Sequence, residues 1–586
     1  MLSRDQRILH LKANPEVSVL VVGAGINGIG VFWDLALQGV DVLLVDRGDY
    51  ASGASAASSH MAHGGIRYLE NGEFRLVREA VQERNRLIEN APHLVTPLPT
   101  TFPIFKWFSG LLNAPLKFLG MLDWPSERGA LVIKIGMTLY DLYTREQGTV
   151  PRHTFLGRKQ SLQQFPALNP EVIFTGTYFD GAIHSPERLA AELVIDAASD
   201  NKKATPLNYV SLAGMSENSV QLQDELSGKS FTIHPKVIVN AAGPWIDSVN
   251  RTFGMETRYI GGTKGSHLVL DHPQLRKAIG EHEFFFENKD GRIVLIFPLA
   301  DRVLIGTTDI RVDDPDDIAI TDDEVQYFLD MIKRVFPGIQ VDPSQIVFTF
   351  SGVRPLENSE ASLTGQIRRE HKIEQYLVGS SPSIPVLSLV GGKWTTFRAF
   401  AEQAADQILD QLNLSRRRST AGIRIGGGKG FPDSEASRKE WVSRVCSASG
   451  LAEVRVETLL SRYGTRAEQI ANYIASAQDR PLRMNPDFST GEIEYIVQQE
   501  DVVHLDDFLL RRSMLGMLGR SSKEGLVELG EKIGRVIGWN AQMVDYEIQR
   551  TIEILKSEHR IDINRYLVEE EMQPGLDSTT KCNTQE

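Results

Sequence analysis

The hexapeptide Gly23-Ala24-Gly25-Ile26-Asn27-Gly28 has the spacing that turns main-chain amides toward a diphosphate, and Asp46 follows at the distance of a ribose-binding acid. Each residue type has its own reason. Gly23 permits a tight turn, Gly25 lets backbone approach the pyrophosphate, Gly28 lets a helix lie close to a strand, and Asp46 accepts from ribose hydroxyls. The elements needed to hold them can be read on either side. Ser18 to Val22 is an apolar, β-branched run suited to a strand buried on both faces, Ile26 to Leu37 has a helical pattern, and Val42 to Val45 is a second buried strand. The helix start offers free amides and a partial positive charge to an anion. This β-α-β unit binds a dinucleotide, and the motif alone leaves FAD and NAD both open.

Two later stretches have the same character. Val237 to Val239 runs into the small residues Asn240-Ala241-Ala242-Gly243, which allow backbone to pass close to a cofactor. Pro385 to Val390 is another buried strand, followed by Gly391-Gly392 and a helical pattern from Thr395 to Leu412. A helix beginning there would aim its positive end at a ring system that gains negative charge on reduction.

Composition bounds the rest. A chain of 586 residues, 41% hydrophobic and 24% charged, is an ordinary globular protein of two or three domains. A net charge of −13 disfavours a nucleic-acid partner. Its two cysteines, Cys446 and Cys582, form no Cys-x-x-Cys, so neither a zinc knuckle nor an iron-sulfur cluster is expected, and no metal site is assigned. The opening Met1 to Glu16 carries Arg4, Asp5, Arg7 and Lys12 and does not read as a secretory signal. No apolar run reaches the roughly 18 residues of a membrane span.

Beyond the first unit lie Ala57-Ser58-Ser59-His60-Met61-Ala62-His63-Gly64-Gly65-Ile66-Arg67-Tyr68-Leu69-Glu70, then Asn240 to Trp245, Thr263 to His267, Ile305 to Asp309, Ser351 to Pro355 and Gly391 to Thr396. In that order they resemble the membrane-associated, FAD-dependent glycerol-3-phosphate dehydrogenases, over about Val17 to Leu412. A helical C-terminal stretch with Asp507-Phe508-Leu509-Leu510-Arg511-Arg512 also looks like that family's. The chain departs from the family's pattern at His60, where lysine is usual, and at Trp394, where a smaller aliphatic residue is usual.

The resemblance implies an α/β fold: a Rossmann-like FAD-binding domain, an antiparallel-sheet substrate cap and a C-terminal all-α domain. It implies FAD bound by Gly23, Gly25, Asn27, Gly28, Asp46, Ser58, Ser59, Gly64, Gly65, Ala242, Gly243, Trp245, Gly392, Lys393, Thr395 and Thr396. The implied substrate is glycerol 3-phosphate, oxidised to dihydroxyacetone phosphate by hydride transfer from C2 to flavin N5. A phosphate dianion calls for arginines, and the candidates are Arg354, Arg67 and Arg369, the last with Arg368 as its competitor. Tyr68 and His267 join the substrate contacts. His63 is the first choice of base, and Lys393 either orients the hydroxyl or is itself the base.

The expected organisation is a tail over 1–16 and a discontinuous FAD domain over 17–415, with a cap mainly within 80–155 and 205–350. A helical domain over 416–565 with breaks at Gly464, Gly519, Gly530 and Gly538 follows, then a polar tail over 566–586. Phe284 to Phe286, Arg292 to Phe297 and Arg302 to Gly306 read as antiparallel cap strands. Phe102 to Leu122 mixes aromatics and leucines with Lys106 and Lys117 and has no acid, and Pro103 and Pro115 break it into short helices. It suits peripheral contact with lipid; an apolar hairpin or the wall of a quinone channel is the alternative. The resemblance favours peripheral attachment to the inner face of the cytoplasmic membrane, with a quinone as acceptor and homo-oligomerisation left open. Two other readings stand beside it: an oxidase that uses oxygen, and a flavin-binding interaction protein with little turnover.

Overall fold

A computed structural model describes residues 2–66, 73–107, 130–144, 148–287, 293–316, 318–358 and 370–563. Two large sheets carry the architecture. The first has the order Lys372–Val378, Ile384–Val390, Ser230–Asn240, Glu16–Val22, Val42–Val45, Ala204–Leu207, and every pairing after the antiparallel edge strand is parallel. Its central strand Glu16–Val22 is buried almost throughout, as a run of valines and leucine in a doubly covered parallel sheet must be. The helix Ile26–Leu37 has every residue but Asn27 buried. It lies against the helices Pro186–Asp200 and Phe397–Gln411, which accounts for its being apolar on all sides.

The second, mostly antiparallel sheet contains Val95–Ile104, Phe174–Ile183, Thr263–Leu270, Glu283–Glu287, Ile293–Leu299, Arg302–Gly306 and Ile346–Arg354. Both faces are covered. One packs on the helix Asp322–Val335. The other shares a continuous apolar core with the C-terminal helices, in which Leu295, Phe297 and Phe348 meet Trp441, Leu459 and Phe508. The α/β fold with an antiparallel cap and a C-terminal all-α region is as the sequence leads one to expect.

Several local expectations are corrected. Residues 4–13, expected as part of a tail, form a helix with a Ser3/Gln6 capping box; Ile8 and Leu11 are buried, and Arg4 reaches Asp224 at 2.6 Å. Phe102 to Ile104, read as the start of an interfacial segment, finish the strand Val95–Ile104, with Phe102 and Ile104 in the core. Pro103 is tolerated because the neighbouring strand Glu283–Glu287 pairs only with Thr100 and Thr101. Gly530 breaks nothing: it lies inside the helix Lys523–Ile537, where a Cβ would stand 3.2 Å from Ile548 of the following helix. Gly464 and Gly538 do end helices, and Gly519 lies in a turn. Most of the apolar segment, 108–122, and the polar tail lie outside the described residues.

Candidate active site

The strand ends of the first sheet and one face of the second enclose a cavity of about 1190 Å³, large for a small-molecule site and suited to a dinucleotide together with a substrate. At one end the glycine turn is compact. Gly23 has φ +103°, and a Cβ on Gly28 would stand 1.9 Å from the Gly23 carbonyl, so the helix can sit on the strand only without a side chain there. Gly28 therefore supports the wall without lining the cavity, whereas Gly23, Gly25, Asn27 and Asp46 line it. The first helical amide, of Ile26, donates to Ser55 Oγ at 2.9 Å. Asp46 accepts from the amides of Ala24 at 2.6 Å and Gly48 at 2.9 Å. Burial raises its carboxyl to about 6 against the pull of those two amides. Ser58, Ser59, Gly65, Ala242, Gly243, Trp245, Gly392, Lys393 and Thr395 complete the lining, while Gly64 and Thr396 stand behind it.

The structure brings His63, Arg354, Lys393 and His267 to the wall of the same cavity. Arg354 closes the strand Ile346–Arg354. Its guanidinium donates to Thr307 Oγ1 at 2.7 Å and to Thr308 O and Asp309 Oδ1 at 3.2 Å each. Gly265 on the adjoining strand makes its room, since a Cβ there would meet Arg354 Nη2 at 2.1 Å. His63 is fixed through its main chain, its amide donating to Thr395 Oγ1 at 3.0 Å. The next amide, of Gly64, donates to Asp180 Oδ1 at 2.9 Å. His267 is stacked on Phe350 and bonded to Ser59 Oγ at 2.8 Å. Burial, with the charge of Arg354 and the neighbouring His60, drives the His267 imidazole well below its ordinary range. It stays neutral and is a poor proton acceptor.

Asn27 gives an independent test of fit for a bound cofactor. Its Nδ2 donates to Gly391 O at 3.2 Å, joining the glycine turn to the Gly391-Gly392 turn; Asn27 lines the cavity, and its buried Oδ1 has no partner among the described residues. Buried polar groups are as a rule hydrogen-bonded, which calls here for a donor from an occupant or a water. The residues present fit a dinucleotide.

Comparison with known proteins decides which one. Residues 18–398 match the family described as FAD dependent oxidoreductase, and residues 418–544 match the C-terminal domain of alpha-glycerophosphate oxidase. A glycerol-3-phosphate dehydrogenase of Synechocystis sp. is 32% identical over 566 residues, covering 93% of this chain and 97% of the relative. The chain belongs to the FAD-dependent glycerol-3-phosphate dehydrogenase family. FAD is its cofactor. An aerobic glycerol-3-phosphate dehydrogenase of Staphylococcus haemolyticus is 30% identical, over 85% of this chain and 87% of its own. The fold is also that of a glycerol-3-phosphate dehydrogenase from Bacillus halodurans crystallised with FAD, with a TM-score of 0.72 at 24% identity, covering 95% of this chain and 98% of that one.

Both departures from the family's pattern have a structural account. His60 is fully buried, bonds to Ile183 O through Nδ1 at 3.1 Å and does not line the cavity; burial lowers it to about 4, so this member carries no cation there. Trp394 donates from its indole to Ser55 O at 3.0 Å, joining the Gly391-Gly392 turn to the loop whose Ser55 caps the helix Ile26–Leu37. Lys264, within the Thr263 to His267 stretch, is paired with Glu324 at 3.0 Å. Arg67, Tyr68, Arg368 and Arg369 lie outside the described residues.

Sequence reasoning missed Asp180 and Tyr178. Both line the cavity, and buried Asp180 accepts from Tyr140 at 2.6 Å, Tyr178 at 3.0 Å and Arg84 at 3.3 Å as well as from Gly64. They sit on a strand with no motif around them, so only spatial convergence reveals them. Thr307 to Asp309 had a signal, since they end one of the quoted motifs, but their role as the seat of Arg354 depends on a neighbouring strand.

Proposed function

We propose that this enzyme oxidises sn-glycerol 3-phosphate to dihydroxyacetone phosphate and passes the electrons to a membrane quinone. One observation carries the reading: His63, Arg354 and Lys393, remote from one another in sequence, share a cavity with the dinucleotide-binding glycines and Asp46. The names of the curated relatives supply the substrate. FAD, when bound, supplies at N5 the acceptor for the hydride leaving C2.

The chain's own residues do the rest. Arg354 grips the phosphate in charge-assisted bonds, with Thr307 and Asp309 fixing the plane of its fork. Arg67, Tyr68 and Arg369, outside the described residues, are proposed as further substrate contacts, and neutral His267 contributes a hydrogen-bonding edge without competing for the proton. His63 takes the hydroxyl proton as the hydride departs, because an imidazole accepts protons near neutral pH. Lys393 orients the oxygen and stabilises the negative charge that develops on it. The glycine turn and Asp46 would hold the diphosphate and ribose, and Gly391 to Thr395, which line the same cavity, would supply wall for the ring system.

Peripheral attachment is supported by the surface. Trp107, Leu131, Ile135 and Leu139 are exposed, the last three one turn apart on the helix Ala130–Thr144, with exposed Lys106 and Lys134 beside them. Such a stripe suits the headgroup boundary of a bilayer. Among the described residues no helix is long and apolar enough to cross a membrane. The match of residues 418–544 to an oxidase domain favours oxygen as a second reading of the acceptor.

Anaerobic addition of glycerol 3-phosphate to the FAD-loaded protein should bleach its flavin bands, and an unchanged spectrum refutes the proposal. Stoichiometric hydrogen peroxide in air, with no reduction of a quinone in vesicles, would replace quinone by oxygen.

A further inference from the structure

The stretch Asp507 to Arg512 does not line the cavity. Yet Asp506, Asp507, Arg511 and Arg512 are at most 9% exposed. The stretch folds as a π-helix, a rare form found mostly at functional sites. Its two arginines converge on Asp49 of the FAD domain. Arg511 Nε and Arg512 Nη1 reach Asp49 Oδ2 at 2.7 and 2.8 Å, and Arg512 Nη2 reaches Oδ1 at 2.9 Å. Asn208 Nδ2 adds a fourth bond at 3.0 Å.

Asp49 stands three residues beyond Asp46, and the loop between them is bonded throughout. Gly48 N–H donates to Asp46, Tyr209 N–H donates to Gly48 O at 3.0 Å, and the Tyr209 hydroxyl donates to Asp507 Oδ1 at 2.5 Å. Further along, Tyr50 donates to Asp501 at 2.9 Å, and Ala51 N–H donates to the carbonyl of Ala24 in the glycine turn. The loop thus has the nucleotide cleft on one side and the charges of the C-terminal domain on the other. Burial by itself would raise the Asp49 carboxyl, but Arg512 and Arg511 hold it down at about 2. Losing the charge of Asp49 would leave Arg512 and Arg511 short of a buried partner, which is strongly destabilising.

We propose that the Asp507 to Arg512 stretch is a positioning element of the cofactor site: by clamping Asp49 it fixes the loop that presents Asp46 to the adenosine half of FAD. Docking of the helical domain and retention of FAD are then linked, and by reciprocity FAD strengthens the docking as much as docking strengthens FAD binding.

The test titrates FAD into full-length apoprotein by quenching of flavin fluorescence. Asp49→Asn removes the charge, Arg512→Lys keeps a charge but loses the fork, and Tyr209→Phe removes one hydrogen bond. The comparator is Arg466→Met, which breaks another contact between the domains, to Asp196 at 2.6 Å on the helix Pro186–Asp200. The first two variants should raise the FAD Kd at least about tenfold and Tyr209→Phe about threefold. Arg466→Met should lower the unfolding temperature and leave Kd within about twofold. An unchanged Kd in Arg512→Lys and Tyr209→Phe overturns the proposal even if Asp49→Asn does not fold. Equal loss of affinity in Arg466→Met overturns it too, because the effect would then be general loosening.

Discussion

Two parts of the cavity wall are built on different principles. Where Gly23, Gly25 and Asp46 bound it, one contiguous stretch of chain supplies the wall, and absent side chains and main-chain bonds to Asp46 and Ser55 give it its shape. Where His63, Arg354 and Lys393 bound it, side chains come from segments far apart in the chain, and partners hold them: Thr307 and Asp309 under Arg354, Thr395 and Asp180 beside the His63 loop. A main-chain site fails when something is added to it. A side-chain site fails when something is taken away.

That contrast can be attacked by mutation. Gly28→Val adds atoms where even a Cβ is 1.9 Å from a carbonyl, and the purified protein should be colourless, with no flavin absorbance. His63→Asn removes the proposed base and should lower kcat by about 10²–10⁴-fold at unchanged FAD content, read from the anaerobic rate of flavin reduction. Retention of full kcat would transfer the role to Lys393. Arg354→Met should raise KM for glycerol 3-phosphate and cut kcat/KM by about 10²–10³-fold, from the loss of a charge-assisted bond to the phosphate, while leaving FAD affinity alone.

Smaller effects probe the supports. Tyr140→Phe deletes a hydroxyl that donates to Asp180 and accepts from Arg84 at 2.9 Å, which should cost about 1–3 kcal/mol of stability and lower kcat a few-fold. A fall in FAD affinity instead would mean that the two parts are not separable. Behind them, Glu283 is buried, with Thr100 donating to its Oε2, and desolvation raises it to about 8. Because the folded chain keeps a proton that the unfolded chain releases, this contribution is complete below about pH 4.5 and is lost as pH rises through 8. Glu283→Gln should therefore show a smaller fall in melting temperature between pH 5 and 8 than the parent.

Legibility followed the same division. The strand Val42–Val45 and the helix Ile26–Leu37 have the bounds that their residue pattern indicates, because both are set by neighbours within a few residues. The helix after Gly392 begins at Phe397, two residues later than its pattern suggests, because Trp394 to Thr396 turn to meet the Ser55 loop. Phe102 to Ile104 look interfacial in sequence, since aromatics beside a lysine do not reveal that a neighbouring strand will cover them. The stretch Asp507 to Arg512 is legible in sequence only as a family-like segment, since nothing near Arg511 and Arg512 indicates a carboxylate from the other end of the chain.

Sequence alone determined the dinucleotide unit, the α/β class, the family and the residue types able to handle an alcohol and a phosphate, because those depend on short-range pattern and on steric rules that a few residues satisfy together. Tertiary structure decided that Gly265 leaves room for Arg354, that His267 is neutral, that Asp180 supports the His63 loop and that Asp49 is held from the C-terminal domain. Each of these depends on strand register and burial between segments far apart in the chain, and the energy of a buried charge or hydrogen bond is set by what closes over it.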